Sequence, residues 1–305
     1  MTPLLSPDVV SAIEDLELAA RLVVEGLRSG PHRSPFHGYS SEFQQHRPYR
    51  AGDDLKYLDW KLLARSDRLY TRQFRETTSM SVMLVLDGSA SMAFPEVGVS
   101  KWRYASIIAA ALAHLVVGQG DAVGLLAMTG DRLTYLPAKG GRPHLRSLIA
   151  TIDRLQPSGS WSPARGITRG AELLKRRGVV LVISDFQDRE EATHRELRRV
   201  AGHGHDVAML QVMAPDEASF PYRGDVEFED LETGERRLVD AGVVAGPYRA
   251  AFEQFLARSK GWARRDHIDY GAFLTSEPPG RTLRDFLMRR SSTPGTHHAD
   301  AMDSA

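Results

Sequence analysis

Apolar residues along this chain follow two rhythms, and the change between them divides it. Over residues 7–28, Val9, Ile13, Leu16, Ala20, Val23 and Leu27 recur at three- and four-residue steps, with Ser6-Pro7 suited to a helix start and Gly30-Pro31 to a stop. That spacing predicts one amphipathic helix, packed as a lid or arm. Residues 31–79 hold no sustained period and are rich in Arg, Tyr, Asp and Gly. They predict a short helix over 55–64 behind an Asp53/Asp54 cap, and a strand near 69–74. From residue 80 onward strands alternate with helices. Strands are predicted at 81–86, 122–128, 133–136, 179–183 and 207–212, and helices at 102–117, 144–155, 164–177, 190–200, 248–257 and 282–289. The runs SVMLVL and VVLVI are apolar on both faces, which only a strand covered from both sides can use. The predicted fold is therefore α/β: a three-layer, doubly wound, mostly parallel sheet. FEDLETGERRLV, residues 228–239, reads as a β-hairpin turning at Thr233-Gly234 and appended to the sheet edge.

The expected organisation is an N-terminal helix over 1–30, an irregular Arg/Asp-rich module over 31–79, and an α/β domain over 80–290 with a hairpin insertion near 225–240. The last stretch, 291–305, SSTPGTHHADAMDSA, has too little apolar surface to offset its ordering entropy and is expected to be disordered.

Composition narrows the function classes. With 305 residues, 42% of them hydrophobic, the chain can bury one large core, or one core with a subsidiary lobe. Mean hydropathy is -0.31, and the longest apolar stretch, around 107–117, is interrupted by His114 and falls short of the roughly 18 residues a membrane span needs. No span and no secretory leader are expected, which fits a cytoplasmic address. A count of 0 cysteines excludes disulfides and thiolate metal sites. The net charge of +0 argues against general polyanion binding. One segment is locally basic: Arg47, Arg50, Lys56, Lys61, Arg65, Arg68, Arg72 and Arg75, with Asp53, Asp54, Asp59 and Asp67 interleaved. It reads as a solvated face of mutual ion pairs, and nucleic-acid binding there stands as an alternative that predicts steep salt dependence.

Chemistry concentrates where the buried strands end. In SVMLVLDGSASM, Asp87 leaves the carboxyl end of a strand, Gly88 permits a sharp turn, and Ser89 and Ser91 can turn their hydroxyls to the same point. VVLVISDFQD ends likewise and brings Asp185 toward Asp87 if the two strands are parallel neighbours. Ligands bind along this rim in such sheets. Oxygen-only donors, two of them charged, suit Mg²⁺ or Mn²⁺.

DGSAS matches the D-x-S-x-S of the metal-ion-dependent adhesion site in von Willebrand factor A domains, and ISDF places Asp185 where that family has its distal aspartate. The resemblance implies a metal held by Asp87, Ser89, Ser91 and Asp185, with an open position for a partner's acidic side chain. The family also takes a threonine from an intervening loop. Here PSGSWSPARG offers Ser160 after Gly159, with Ser162 and Thr168 as substitutes. The stretch PHRSPFHGYSSEFQQHRPYRAGDDLKYLDWKLLARSDRLYTRQF, together with HDVAMLQVMAPDE and FEDLETGE, resembles the bacterial domain of unknown function 58 family over nearly all of residues 31–289. That resemblance implies a von Willebrand factor A-like domain and a MoxR-type AAA+ ATPase as partner in assembly, maturation or chaperoning of other proteins.

Nothing in the chain reads as G-x-x-x-x-G-K-[ST], as G-x-G-x-x-G after a strand, or as a G-x-S-x-G elbow. No catalytic residue is assigned, and the expectation is a non-enzymatic protein-interaction module. The class-different alternative is a metal-dependent phosphoesterase or nuclease.

Overall fold

The structure is a computed structural model that describes residues 6–28, 40–49, 62–63, 65, 68–77, 80–95, 97–174, 176–187 and 191–292. The chain separates into two units, Phe36–Met80 and the remainder, Met1–Pro35 with Ser81–Ala305.

In the smaller unit, β1 (Ser40–Pro48) pairs antiparallel with β2 (Tyr70–Thr77), Ser40 facing Thr77 and Pro48 facing Tyr70, with a bulge between Phe43 and Gln45. The strand predicted near 69–74 is β2. Its partner, SSEFQQHRP, has no apolar alternation to announce it. The helix expected over 55–64 lies outside the described residues except for 62 and 63, which are helical. Much of the basic cluster and the tail from 293 onward also lie outside them.

The larger unit is built on six strands: β3 (Ser81–Asp87), β4 (Ala122–Thr129), β5 (Arg132–Lys139), β6 (Val179–Ser184), β7 (Asp206–Met213) and β10 (Asp269–Leu274), ordered β10-β7-β6-β3-β4-β5. All pairs are parallel except β4 with β5. The two runs apolar on both faces, β3 and β6, are therefore central and adjacent. Met83 and Val85 of β3 join Val180 and Val182 of β6 in one core layer, while Val82, Leu84 and Leu86 point to the opposite face and are fully buried there. Two helical layers cover these faces. On the first, α3 (Lys101–Gly118) crosses the sheet and packs on α2 (Leu16–Arg28) and α4 (Arg142–Arg154). On the second lie a π-helical turn at Ala164–Thr168, the short α5 (Arg169–Glu172), α6 (Ala192–Gly202) and the end of α8 (Ala241–Arg265). The remaining helices are α1 (Pro7–Ser11), α7 (Pro215–Ser219) and α9 (Pro279–Ser292), which packs on α2 and β10.

Four expectations change. The single N-terminal helix is two, because Asp15 caps a new start by accepting from the Glu17 and Leu18 N–H groups at 2.8 and 3.1 Å. It is a packed layer of the larger unit, not an arm, since Ala19 and Ala20 are fully buried. The helix predicted over 164–177 ends by Glu172 and begins as a π turn. The hairpin, β8 (Asp225–Glu229) with β9 (Arg236–Asp240), forms its own two-stranded sheet and is not appended to the edge of the main one, where β5 and β10 are the outer strands.

Candidate functional site

Register places the site. Leu86 of β3 lies opposite Ile183 of β6, so the next residues, Asp87 and Ser184, stand side by side and Asp185 follows directly. Both aspartates are buried, at 1% and 3% exposure. Asp87 Oδ2 accepts from Ser184 Oγ at 2.6 Å and its Oδ1 from the Ser89 N–H at 2.9 Å. Asp185 Oδ1 accepts from the Gln187 N–H at 3.2 Å. Its carbonyl accepts from Gln211 Nε2 at 3.0 Å, and Gln211 Oε1 accepts from the Tyr270 hydroxyl at 2.7 Å, which ties the ends of β6, β7 and β10 together.

The turn after β3 depends on Gly88. A Cβ there would lie 2.6 Å from Thr129 Cγ2 and 2.8 Å from the Met128 carbonyl oxygen, which already accepts from the Gly88 N–H at 2.8 Å. Gly88→Ala is expected to cost about 1–3 kcal/mol through overpacking, read as a lowered urea midpoint. The loop expected to contribute Ser160 does run beside this turn: the Ser158 N–H donates to the Gly88 carbonyl at 2.9 Å and the Ala90 N–H to the Gly159 carbonyl at 2.8 Å. Gly159 takes φ +63°, and a Cβ on it would come within 2.5 Å of Gly130 Cα. Ser160 itself is exposed, one residue beyond that contact. Thr168 is committed elsewhere, donating to Glu196 on α6.

The two hydroxyls converge. Ser89 Oγ and Ser91 Oγ are 3.0 Å apart, and Ser91 Oγ donates to Glu232 Oε1 at 3.1 Å, a residue 141 positions away in the β8–β9 turn. Either hydroxyl can be the donor between the two, and the Glu232 carboxylate closes the chain.

Three further residues of the site were not anticipated. Lys101, in the first turn of α3, is 1% exposed and sets its ammonium 2.6 Å from Asp185 Oδ2 and 2.6 Å from Glu217 Oε1. Glu217 Oε2 accepts from the Ala214 N–H at 2.7 Å. Glu232 is the third. One signal was legible: a lysine in the first turn of an apolar helix opposes the helix dipole, so it needs carboxylates nearby. Which carboxylates, 84 and 116 residues away, no local pattern says.

Charge in the site is out of balance. Among the described residues, Asp87, Asp185, Glu217 and Glu232 face one ammonium. Burial, and then the neighbouring Asp185, push the Asp87 carboxyl up to about 7 despite the hydrogen bonds it accepts. Burial pulls the Lys101 pKa down, but Asp185 and then Glu217 outweigh it and raise it. Burial, with a further contribution from Asp185, also raises Glu232. Among the described residues no three His, Asp or Glu side chains are grouped to hold a metal unaided, so any cation here leans on the serine hydroxyls. In donor type and in charge the set fits a hard divalent cation: oxygen donors only, and a buried carboxylate with too little positive charge beside it. Asp87, Ser89 and Ser91 are the residues able to hold it. Asp185, with Oδ2 on Lys101 and Oδ1 accepting from the Gln187 N–H, can offer an ion only a remaining lone pair of Oδ1.

The family model described as "Protein of unknown function DUF58" matches residues 45–261. "Uncharacterized protein Rv1480" of Mycobacterium tuberculosis is 32% identical over 233 residues, covering 75% of this chain and 72% of that one. "Uncharacterized protein YeaD" of Bacillus subtilis is 33% identical over 117 residues, 38% of this chain and 27% of that one. Similar solved structures include BatB from Bacteroides thetaiotaomicron, at TM-score 0.46 and 16% identity over 70% of this chain and 100% of that one. The SpRpn10 VWA domain matches at TM-score 0.40 and 12% identity, over 70% of this chain and 95% of that one. No helix among the described residues is long and apolar enough to cross a membrane.

Proposed function

The chain belongs to the DUF58 family, and from that premise we propose that it is a divalent-metal-dependent protein-interaction module whose contact point is the rim at Asp87, Ser89 and Ser91. One observation carries the reading: Asp87 is buried at the carboxyl end of a central strand, next to the converging Ser89 and Ser91 hydroxyls, with its carboxyl displaced upward by burial and by the neighbouring Asp185. Mg²⁺ or Mn²⁺ would supply a compensating charge and offer a coordination position to an anionic oxygen from outside. The chain's own residues do the rest. Ser184 and the Ser89 N–H fix the Asp87 carboxylate, Gly88 and Gly159 hold the turn against the neighbouring loop, and Lys101 fixes Asp185 at one oxygen. Ser160, on the exposed side of that loop, would be the further oxygen donor from the loop side.

The site reads as one for binding rather than catalysis. Its hydroxyls bond to each other and to Glu232, and its ammonium is neutralised by two carboxylates. The resemblance to family members supplies a MoxR-type AAA+ ATPase as the candidate partner. Co-purification tests the reading: wild-type protein should retain the ATPase in Mg²⁺ and release it in chelator, while the Ser89→Ala/Ser91→Ala protein should fail to retain it in either buffer. Equal retention in all four samples would contradict it.

A further inference from the structure

The contact that the proposed partner would make is already made by the chain itself. Glu232 sits at the tip of the β8–β9 hairpin, and its carboxylate accepts from Ser91 Oγ at the rim where the reading above puts an external acidic side chain. The hairpin presents it in a defined shape. Asp230 Oδ1 accepts from the Glu232 and Thr233 N–H groups at 3.0 and 3.1 Å, the Gly234 N–H donates to the Asp230 carbonyl at 2.7 Å, and the Asp230 N–H to the Glu235 carbonyl at 2.8 Å. This is a tight acidic turn with one carboxylate projecting.

Its mounting suits release. The two strands pair only with each other among the described residues. The hairpin is anchored next to its turn, where Phe228, opposite Arg237, packs its ring 5.6 Å from Phe220 and 5.1 Å from Tyr222, and Phe220 packs 4.7 Å from Tyr248. The outer side is wet, with Leu238 72% exposed. Beyond the Phe228 anchor, hydrogen bonding to the rim holds Glu232 in place, so the turn at 230–235 can leave while the paired strands stay.

We propose that Glu232 is an internal occupant of the partner's position, and that the partner engages by displacing it with a carboxylate of its own on a similar acidic turn. This rests on the reading of the rim as the partner-binding site. Two consequences follow from the geometry. The resting protein is closed to weak or stray carboxylates, and partner affinity is reduced by the fraction of molecules whose hairpin is seated. Charge-assisted hydrogen bonding from the serine hydroxyls holds that seated state at about ten to a hundred to one over the open one.

The test uses the full chain, Mn²⁺ alone, and a synthetic peptide of residues 230–235 as the carboxylate probe. Wild type, Glu232→Ala and Glu235→Ala are titrated first with Mn²⁺, followed by water-proton relaxation, and then with the peptide in Mn²⁺ and in chelator. Glu235 lies on the same hairpin but pairs with Arg237 at 2.7 Å, so its variant controls for loss of charge alone. Expected is peptide binding at least about tenfold tighter in Glu232→Ala than in the other two proteins. Equal peptide affinity in all three, with Mn²⁺ bound by all, overturns the internal-occupant inference and leaves the metal reading standing. A gain in Glu232→Ala that is undiminished by chelator supports the inference and overturns the metal reading. Failure of every protein to bind either probe overturns both.

Discussion

Replacing Lys101 by methionine is expected to destabilise the protein by about 3–5 kcal/mol, the cost of breaking a buried ion pair from one side. The ammonium is shared between Asp185 and Glu217 at 2.6 Å each, and all three side chains are largely shielded from water. Methionine fills most of the volume but leaves two carboxylates facing each other with no cation. The loss should therefore be mostly electrostatic. Lys101→Met/Glu217→Gln should recover part of it, because one of the stranded charges is gone. Mg²⁺ should raise the melting temperature of Lys101→Met by more than it raises that of wild type, since Asp185 Oδ2 is then free for the ion. Thermal denaturation of the three proteins with and without Mg²⁺ reads all of this. A Lys101→Met protein as stable as wild type would mean that the ammonium contributes nothing at the site.

Asp87→Asn should act in the opposite sense. In chelator at pH 8 it is expected to melt no lower than wild type, although the residue is buried and hydrogen-bonded. The asparagine oxygen can still accept from the Ser89 N–H, and its amide can donate to Ser184 Oγ, so the contacts survive while the charge goes. A carboxyl raised from 3.8 to about 7 keeps its proton longer in the folded state than in the unfolded chain. Stability of the wild type therefore falls as pH rises through that window, and the deficit persists above it. At about 1.4 kcal/mol for each pH unit, the deficit is worth a few kcal/mol. Melting curves between pH 4 and pH 8 in chelator should show a decline in wild type that asparagine removes. Stability withheld at a binding position is the familiar exchange between folding and function.

These two variants also mark how far the sequence could be read. The strands β3 and β6 announced themselves because a run such as VVLVI has no polar face, and the parallel pairing of two such runs is what sets Asp87 beside Ser184 and Asp185. The turn chemistry was equally local: DGSAS needs its glycine, and the clash around Gly88 shows why. What the sequence hid was of two kinds. Some elements had their period broken. Gly271 interrupts DYGAFL, and Pro247 sits inside the 25 residues of α8, which therefore reads as a shorter helix. The other kind was contact through space. Lys101, Glu217 and Glu232 reach the rim from an α3 terminus, a short helix and a hairpin tip, and no spacing along the chain encodes that meeting. The N-terminal helix is intermediate. Its apolar stripe was legible, but the cap at Asp15 that splits it and the layer it joins were not.

Calorimetric titration of Mg²⁺ or Mn²⁺ into wild type and into Asp87→Asn tests the central claim most directly, because the variant is expected to stay folded while losing the charge. The account predicts saturable binding by wild type, a rise in its melting temperature with metal, and neither effect in Asp87→Asn. Equal heats and equal stabilisation in the two proteins would contradict it.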